Sequence, residues 1–193
     1  MTVLELLKKD RSYRGYDESY RFTEEQLLRY VEATRYCAAS VNRQPLKYYV
    51  ACQPGDVATV QSQTRWARAL PDMQLPHPGH CPTACIVICQ DTDIDANLQR
   101  YQKDVGIVAE AMLLMATEEG LGGCMIGNFT AGELKKAIDL AENLQPLLVV
   151  AFGKPDEKIV LTEVPEDGNI NYYRDENDVH YVPKRSLDDI VIS

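Results

Sequence analysis

The chain has 193 residues, 45% hydrophobic and 25% charged, the make-up of one ordinary globular domain with a substantial core. A formal net charge of −9 speaks against gripping a nucleic-acid backbone, which needs clustered Lys and Arg, although one anionic ligand needs only two or three local cations. No apolar run approaches the ~20 residues of a membrane span, and the N-terminus carries acid within its apolar stretch and shows no cleavage site; the expectation is a protein without a membrane segment or secretory signal, in the cytoplasm.

In chain order, residues 3–9 predict a short amphipathic helix and residues 11–22, rich in Arg, Tyr, Gly and Asp, a loop. Thr23-Glu-Glu-Gln26 has the pattern of a capping box, and the apolar spacing from Leu27 predicts a helix through about Ala38. Residues 42–45 break it. Aromatic and β-branched content predicts a strand over 46–52. Pro54 opens a helix near 55–68, and the prolines of 71–82 make that segment irregular. A strand follows at 83–90, then the longest helix, 97–118, whose middle is apolar almost all round and so is buried on several sides, in the core or against a second subunit. Gly120 and Gly122 stop that helix. A short strand or turn spans 123–128, Thr130-Ala-Gly-Glu133 starts a helix to about Leu140, and 147–152 is a buried strand. Residues 156–193 turn polar and form an extended C-terminal arm, expected to wrap a partner subunit. The order predicts an α+β fold in one domain over 1–193: a mainly antiparallel sheet surrounded by helices.

Six cysteines suit a reduced compartment. Cys81, Cys85 and Cys89 lie four apart near His77 and His80, but Cys85-Ile-Val-Ile-Cys89 reads as a buried strand, in which such positions are about 13 Å apart, too far for one metal ion. No metal site is expected. Cys124 reads as packing, since no second cysteine is placed to resolve a redox thiol. No G-x-G-x-x-G after a strand, Walker A or H-E-x-x-H sequence occurs, so chemistry carried by a bound cofactor is the better reading.

Four stretches have residue types that such a cofactor needs: Arg11-Ser12-Tyr13-Arg14, then Asn42-Arg43-Gln44-Pro45, then the glycine-rich turn from Gly120 to Asn128, then Lys184-Arg185. Singly, each has a duller explanation. Arg11 and Arg14 are solvated charges beside Asp10, Asp17 and Glu18; Asn42 and Gln44 are helix-terminal hydrogen bonders; the glycines stop a helix; Lys184 and Arg185 are a surface pair.

As an ordered set over nearly the whole chain, they resemble the FMN-dependent nitroreductase family. The resemblance implies a homodimer with FMN sites at the subunit interface and hydride transfer from NAD(P)H, through flavin N5, to an electron-poor acceptor such as a nitroaromatic or quinone. It assigns Arg11, Ser12 and Arg14 to the phosphate and flavin ring, with Arg14 stabilising charge on the reduced ring. Asp10 stands where members often carry a basic residue. Ser40, Asn42 and Gln44 fall on a segment that contacts flavin from the other subunit, although Ala38 and Ala39 replace its usual Pro-Ser. Met125, Ile126, Gly127 and Asn128 fall on the turn beside N5, with the Gly127 N–H as the candidate donor. Lys184 or Arg185 reaches the phosphate. Alternatives are other flavin chemistry on the same fold, such as dehalogenation or flavin breakdown; a flavin-binding module without steady turnover; and a thiol or metal protein using the cysteines with His77 or His80.

Overall fold

The computed structural model describes residues 1–70 and 72–192. Pro71, at the start of the expected irregular segment, and Ser193, at the end of the arm, lie outside the described residues. Among these, the order is α1 (Val3–Lys9), β1 (Tyr16–Asp17), α2 (Glu24–Thr34), a 3-10 turn (Ser40–Asn42), β2 (Leu46–Ala51), α3 (Pro54–Ser62), β3 (Ala84–Asp91), α4 (Gln102–Glu118), β4 (Gly122–Ile126), α5 (Ala131–Ala137), β5 (Leu144–Pro155), β6 (Ile159–Glu163), β7 (Tyr173–Arg174), β8 (His180–Lys184) and α6 (Leu187–Ile190). The fold is α+β with an antiparallel central sheet.

β5 is the hub of that sheet. β3 pairs with one of its edges, β4 and the two residues of β1 pair with the other, and β2 extends the sheet beyond β3. The β3–β5 register shifts between Ile88 and Cys89, where Leu147 has no opposite residue beside Pro146, which cannot donate to the ladder. β3 is buried along nearly its whole length because both faces are covered. On one face Ile86, Ile88, Val150 and Phe152 pack against Leu27 and Tyr30 of α2 and Val108 and Met112 of α4. On the other Cys85, Val87, Cys89, Val149 and Ala151 pack against α3 and α5 through Val57, Val60 and Leu134. Burial pushes the Cys85 and Cys89 thiols up to about 12. Among the described residues, the six cysteines are free, no group of three or more His, Cys, Asp or Glu is placed to hold a metal ion, and no helix is long and apolar enough to cross a membrane.

Several boundaries differ from the sequence expectation, each for a local reason. The Thr23 side chain accepts the Gln26 N–H at 3.1 Å, but the Gln26 amide points away from the cap and donates to Glu119 at 2.5 Å, tying α2 to the end of α4. α2 ends at Thr34, not near Ala38. α3 ends at Ser62, not 68, because Arg65 N–H donates to Asn128 O at 2.9 Å and Thr64 bridges to Phe129. α4 starts at Gln102, not 97, since Asp95 and Asn97 side chains accept the N–H groups of Asn97 and Gln99 and hold a turn there. Thr130 makes no side-chain cap. The arm is also more regular than its composition suggests. β6, β8 and β7 form a second, three-stranded sheet, with β6 and β8 parallel.

Candidate active site

Residues 11–14 leave α1 in extended conformation and run beside β4. Ser12 forms a parallel bridge with Gly123, and Tyr13 N–H donates to Gly123 O at 3.0 Å. This approach needs glycine. A Cβ on Gly122 would stand 2.5 Å from the Tyr13 ring, and one on Gly123 would collide with Ala151 O and with Leu113. Gly122 therefore admits the basic strip to the sheet edge, and Gly123 lets that edge lie close against β5 and α4, as well as following a helix. On the strip's other side, the Arg14 N–H donates to the Glu157 carboxylate, whose second oxygen is paired with Arg174; that ion pair is almost fully buried. The arm is thereby clamped onto the strip of its own chain, and His77–Asp178 at 3.3 Å and His80–Asp156 at 3.1 Å hold it to the proline-rich loop.

Three contiguous recesses surround the strip. The largest, about 370 Å³, is lined by Arg14, Arg65, Trp66, Arg68, Tyr172 and the turn 124–128. A second, about 300 Å³, holds Asp10, Arg11, Ser12, Glu110, Met125 and Lys184. A third, about 180 Å³, is lined by Arg11, Ser12, Arg14, Tyr172, His180 and Lys184, together with Ile159 and Val182, and by no carboxylate. Strand alternation explains the arm's contribution: His180, Val182 and Lys184 share one face of β8. Arg185 lies beyond the strand, exposed, and lines none of these recesses.

Ser40, Asn42 and Gln44 are elsewhere. Ser40 donates its hydroxyl to Asp104 at 2.5 Å and its N–H to the same carboxylate at 2.8 Å, pinning the segment to the start of α4. Asn42 and Gln44 line a separate cavity of about 180 Å³ with Pro45, Asp104 and Val108, sharing no residue with the other three. Val41, Asn42 and Gln44 adopt φ of 48°, 52° and 51°, a left-handed conformation costing about 1–3 kcal/mol per residue. Within one chain, then, residues 11, 12, 14, 125–128 and 184 converge, and the 40–44 segment stands apart.

Electrostatics divide the recesses. Burial, reinforced by Glu110 and opposed by Arg11, raises Asp10 from 3.8 to about 6, and its Oδ1 is buried without a partner. Burial pushes Cys124 up to about 11 against the pull of Arg14, so it is a thiol and not a thiolate at neutral pH. The Arg14 guanidinium sits 5.0 Å from the Tyr172 ring centroid. Sequence reasoning missed Arg65, Trp66 and Arg68, assigned there to a helix, and Tyr172 and His180, assigned to an extended arm wrapping a partner. The alternation His180-x-Val182-x-Lys184 was the one available signal for the latter.

The family model for the nitroreductase family matches residues 7–154, about three quarters of the chain. The chain belongs to that family. Its fold resembles that of a nitroreductase family protein from Clostridium difficile 630, with 23% identity, 81% of this chain and 86% of that one covered, and a TM-score of 0.64. It also resembles a protein assigned as a nitroreductase, solved in complex with FMN, from Exiguobacterium sibiricum 255-15 (17%, 81% and 90%, 0.67). A third, from Staphylococcus epidermidis ATCC 12228, is described as an NAD(P)H:FMN oxidoreductase (17%, 98% and 94%, 0.71).

Proposed function

We propose that this protein is a homodimeric, FMN-dependent oxidoreductase of the cytoplasm that uses NAD(P)H to reduce an electron-poor small molecule such as a nitroaromatic or a quinone. The observation that carries the reading is the convergence of Arg11, Arg14, Lys184 and the Ser12 hydroxyl on a recess without a lining carboxylate, next to the larger recess floored by the turn 124–128. Two cations, Arg11 and Lys184, with Ser12 suit a phosphate dianion, and Arg14 lies between this recess and the larger one. The residues present fit the group, and two of the similar folds carry FMN in their descriptions.

When bound, FMN supplies the hydride chemistry for which this chain has no side-chain equivalent. The protein's part is to bind and to set the field. Arg11, Ser12 and Lys184 hold the phosphate. Arg14, anchored through its backbone to the buried Glu157–Arg174 pair, offers a guanidinium against negative charge on the ring. A Cβ at Gly127 would meet nothing within 4 Å, so a planar group can approach the backbone there, and the Gly127 N–H is the candidate donor. No side chain in these recesses is assigned as a general acid. The exposed, strained 40–44 segment serves the site of a second copy, which accounts for polar side chains held in costly backbone geometry away from their own chain's basic strip.

The test uses the purified full chain. The expected result is a yellow protein with one FMN per subunit, a dimer by ultracentrifugation, and steady NAD(P)H consumption with menadione or nitrofurazone. A colourless monomer that fails to quench added FMN fluorescence overturns the proposal; flavin binding without turnover converts it to a binding module.

A further inference from the structure

The arm's small sheet buries a titratable side chain for which the reading above has no use. His180 is 1% exposed, and neither of its ring nitrogens has a hydrogen-bond partner. Buried imidazoles normally donate or accept at least once, because an unsatisfied buried polar atom costs about 1–3 kcal/mol. The nearby Lys158 carbonyl receives the backbone N–H of His180 at 2.9 Å. The ring packs against Tyr172, centroids 5.2 Å apart, and Tyr172 in turn carries the Arg14 guanidinium. His180 lines the recess that also holds Arg11, Ser12, Arg14 and Lys184. The ring with its two orphan nitrogens therefore borders a recess lined by three cations and no carboxylate.

We propose that His180 is an anion-binding residue: its ring donates a hydrogen bond to a phosphate-ester oxygen held in this recess by Arg11, Ser12 and Lys184, and the ring takes up one proton from solvent as the dianion settles. This rests on the reading that the recess receives the phosphate of FMN.

The charges facing the ring are Arg14 from the strip, Arg174 opposite it on β7, and Asp178 from the turn between β7 and β8, with Lys184 on its own strand and Glu157 neutralising Arg174. Without a ligand, burial first, then Arg14 and Arg174, hold the imidazole down to about 4, against the pull of Asp178. It is neutral at pH 7. A dianion within hydrogen-bond range reverses that field and favours the protonated ring. A group that gains a proton on binding makes affinity rise as pH falls through the window between its free and bound pKa values. FMN's own phosphate, with a second pKa near ~6, works in the opposite sense at the acid end, and it does so equally for any variant.

FMN and riboflavin, which lacks the phosphate, are titrated by fluorescence quenching into the full-length wild type, His180→Phe and His180→Gln. His180→Phe is expected to weaken FMN binding by roughly tenfold to a hundredfold while riboflavin affinity changes by less than about twofold. His180→Gln, which keeps a neutral donor, recovers much of the loss near pH ~8 but lacks the wild type's rise in FMN affinity toward pH ~6. Equal losses for FMN and riboflavin in His180→Phe, or no loss for FMN, overturn the proposal. If wild type itself binds no FMN, the flavin reading fails first. The His180 ring resonances are then followed by NMR during titration with inorganic phosphate; a saturable shift keeps the anion-binding role, and no shift ends it.

Discussion

The two stretches that carry the family resemblance are built in opposite ways. Residues 11–14 are sewn into the molecule: Ser12 and Tyr13 pair with Gly123, Arg14 is fastened to a buried ion pair, and the strip fits because Gly122 leaves no side chain against Tyr13. Residues 40–44 are held by side chains, Ser40 on the Asp104 carboxylate and Arg43 on the Ile94 carbonyl at 2.8 Å, and between these anchors the chain runs through left-handed geometry with Asn42 and Gln44 exposed. The first stretch is complete within one subunit. The second holds two exposed polar side chains, Asn42 and Gln44, in left-handed backbone away from the strip, as the proposed contribution to a second copy would use them. Lesions in the first are therefore expected to cost the fold, and lesions in the second to cost association and ligand binding.

The largest effect is expected at Gly123. A valine there has no room against Ala151 O and Leu113, so β4, and with it the strip paired to Gly123, must shift off β5. Gly123→Val should destabilise by about 3 kcal/mol, at the upper end of overpacking costs, and abolish FMN binding. Urea unfolding with a stability loss well below that would show that the edge is softer than its close contacts imply.

Asp104→Ala breaks the other stretch. It removes two hydrogen bonds from Ser40 and leaves a part-buried N–H without its partner, an expected loss of about 2 kcal/mol. The decisive readout is the dimer dissociation constant from sedimentation. Association should weaken at protein concentrations where the monomer remains folded by circular dichroism, whereas a variant that loses stability but dimerises normally would detach the 40–44 segment from the interface.

The contrast also marks what was legible. Where burial on both faces sets the pattern, as in β3 and β5, the apolar runs named the strands, and α4 followed from its apolar middle. What escaped was decided by pairing at a distance. Arg65 and Trp66 belong to an extended segment because Asn128 and Phe129 hold it, and nothing between residues 62 and 68 announces that. β6 and β8 are short and half-exposed, and β7 is two residues long; their order comes from one another and from the buried Glu157–Arg174 pair, whose partners are 17 residues apart in a polar run. The cations of the strip could be listed from sequence, but the recess they line could not, because its far wall is the arm.

Asp10 sharpens the comparison from the opposite direction, since it is a cost inside the well-built half. Its carboxyl is raised to about 6, so the fold favours the neutral form. The stability that form contributes is complete below pH 3.8 and is lost as pH rises through about 6. The shift corresponds to about 3 kcal/mol at most, and screening at a group lining an open recess brings it to about 1–2 kcal/mol. Asp10→Asn, which mimics the neutral acid, should therefore be more stable than wild type at neutral pH by that amount and indistinguishable near pH ~4. Melting curves across this range that run parallel would remove Asp10 as a buried charge.

The smallest expected effect separates the two cations at the end of the arm. Both precede α6 and both are exposed, and the sequence offered no means to choose between them. The strand does: Lys184 is in phase with His180 and Val182 and reaches two of the recesses, while Arg185 is out of phase and past the last ladder pair. An exposed lysine facing a phosphate acts through solvent-screened attraction, so Lys184→Ala should weaken FMN binding by about 1 kcal/mol, with the loss shrinking as salt is added. Arg185→Ala should leave it unchanged at every ionic strength. The reverse ranking would mean that β8 shifts register by one residue when the ligand binds, and it would exchange the faces of His180 and Tyr181 in the same step.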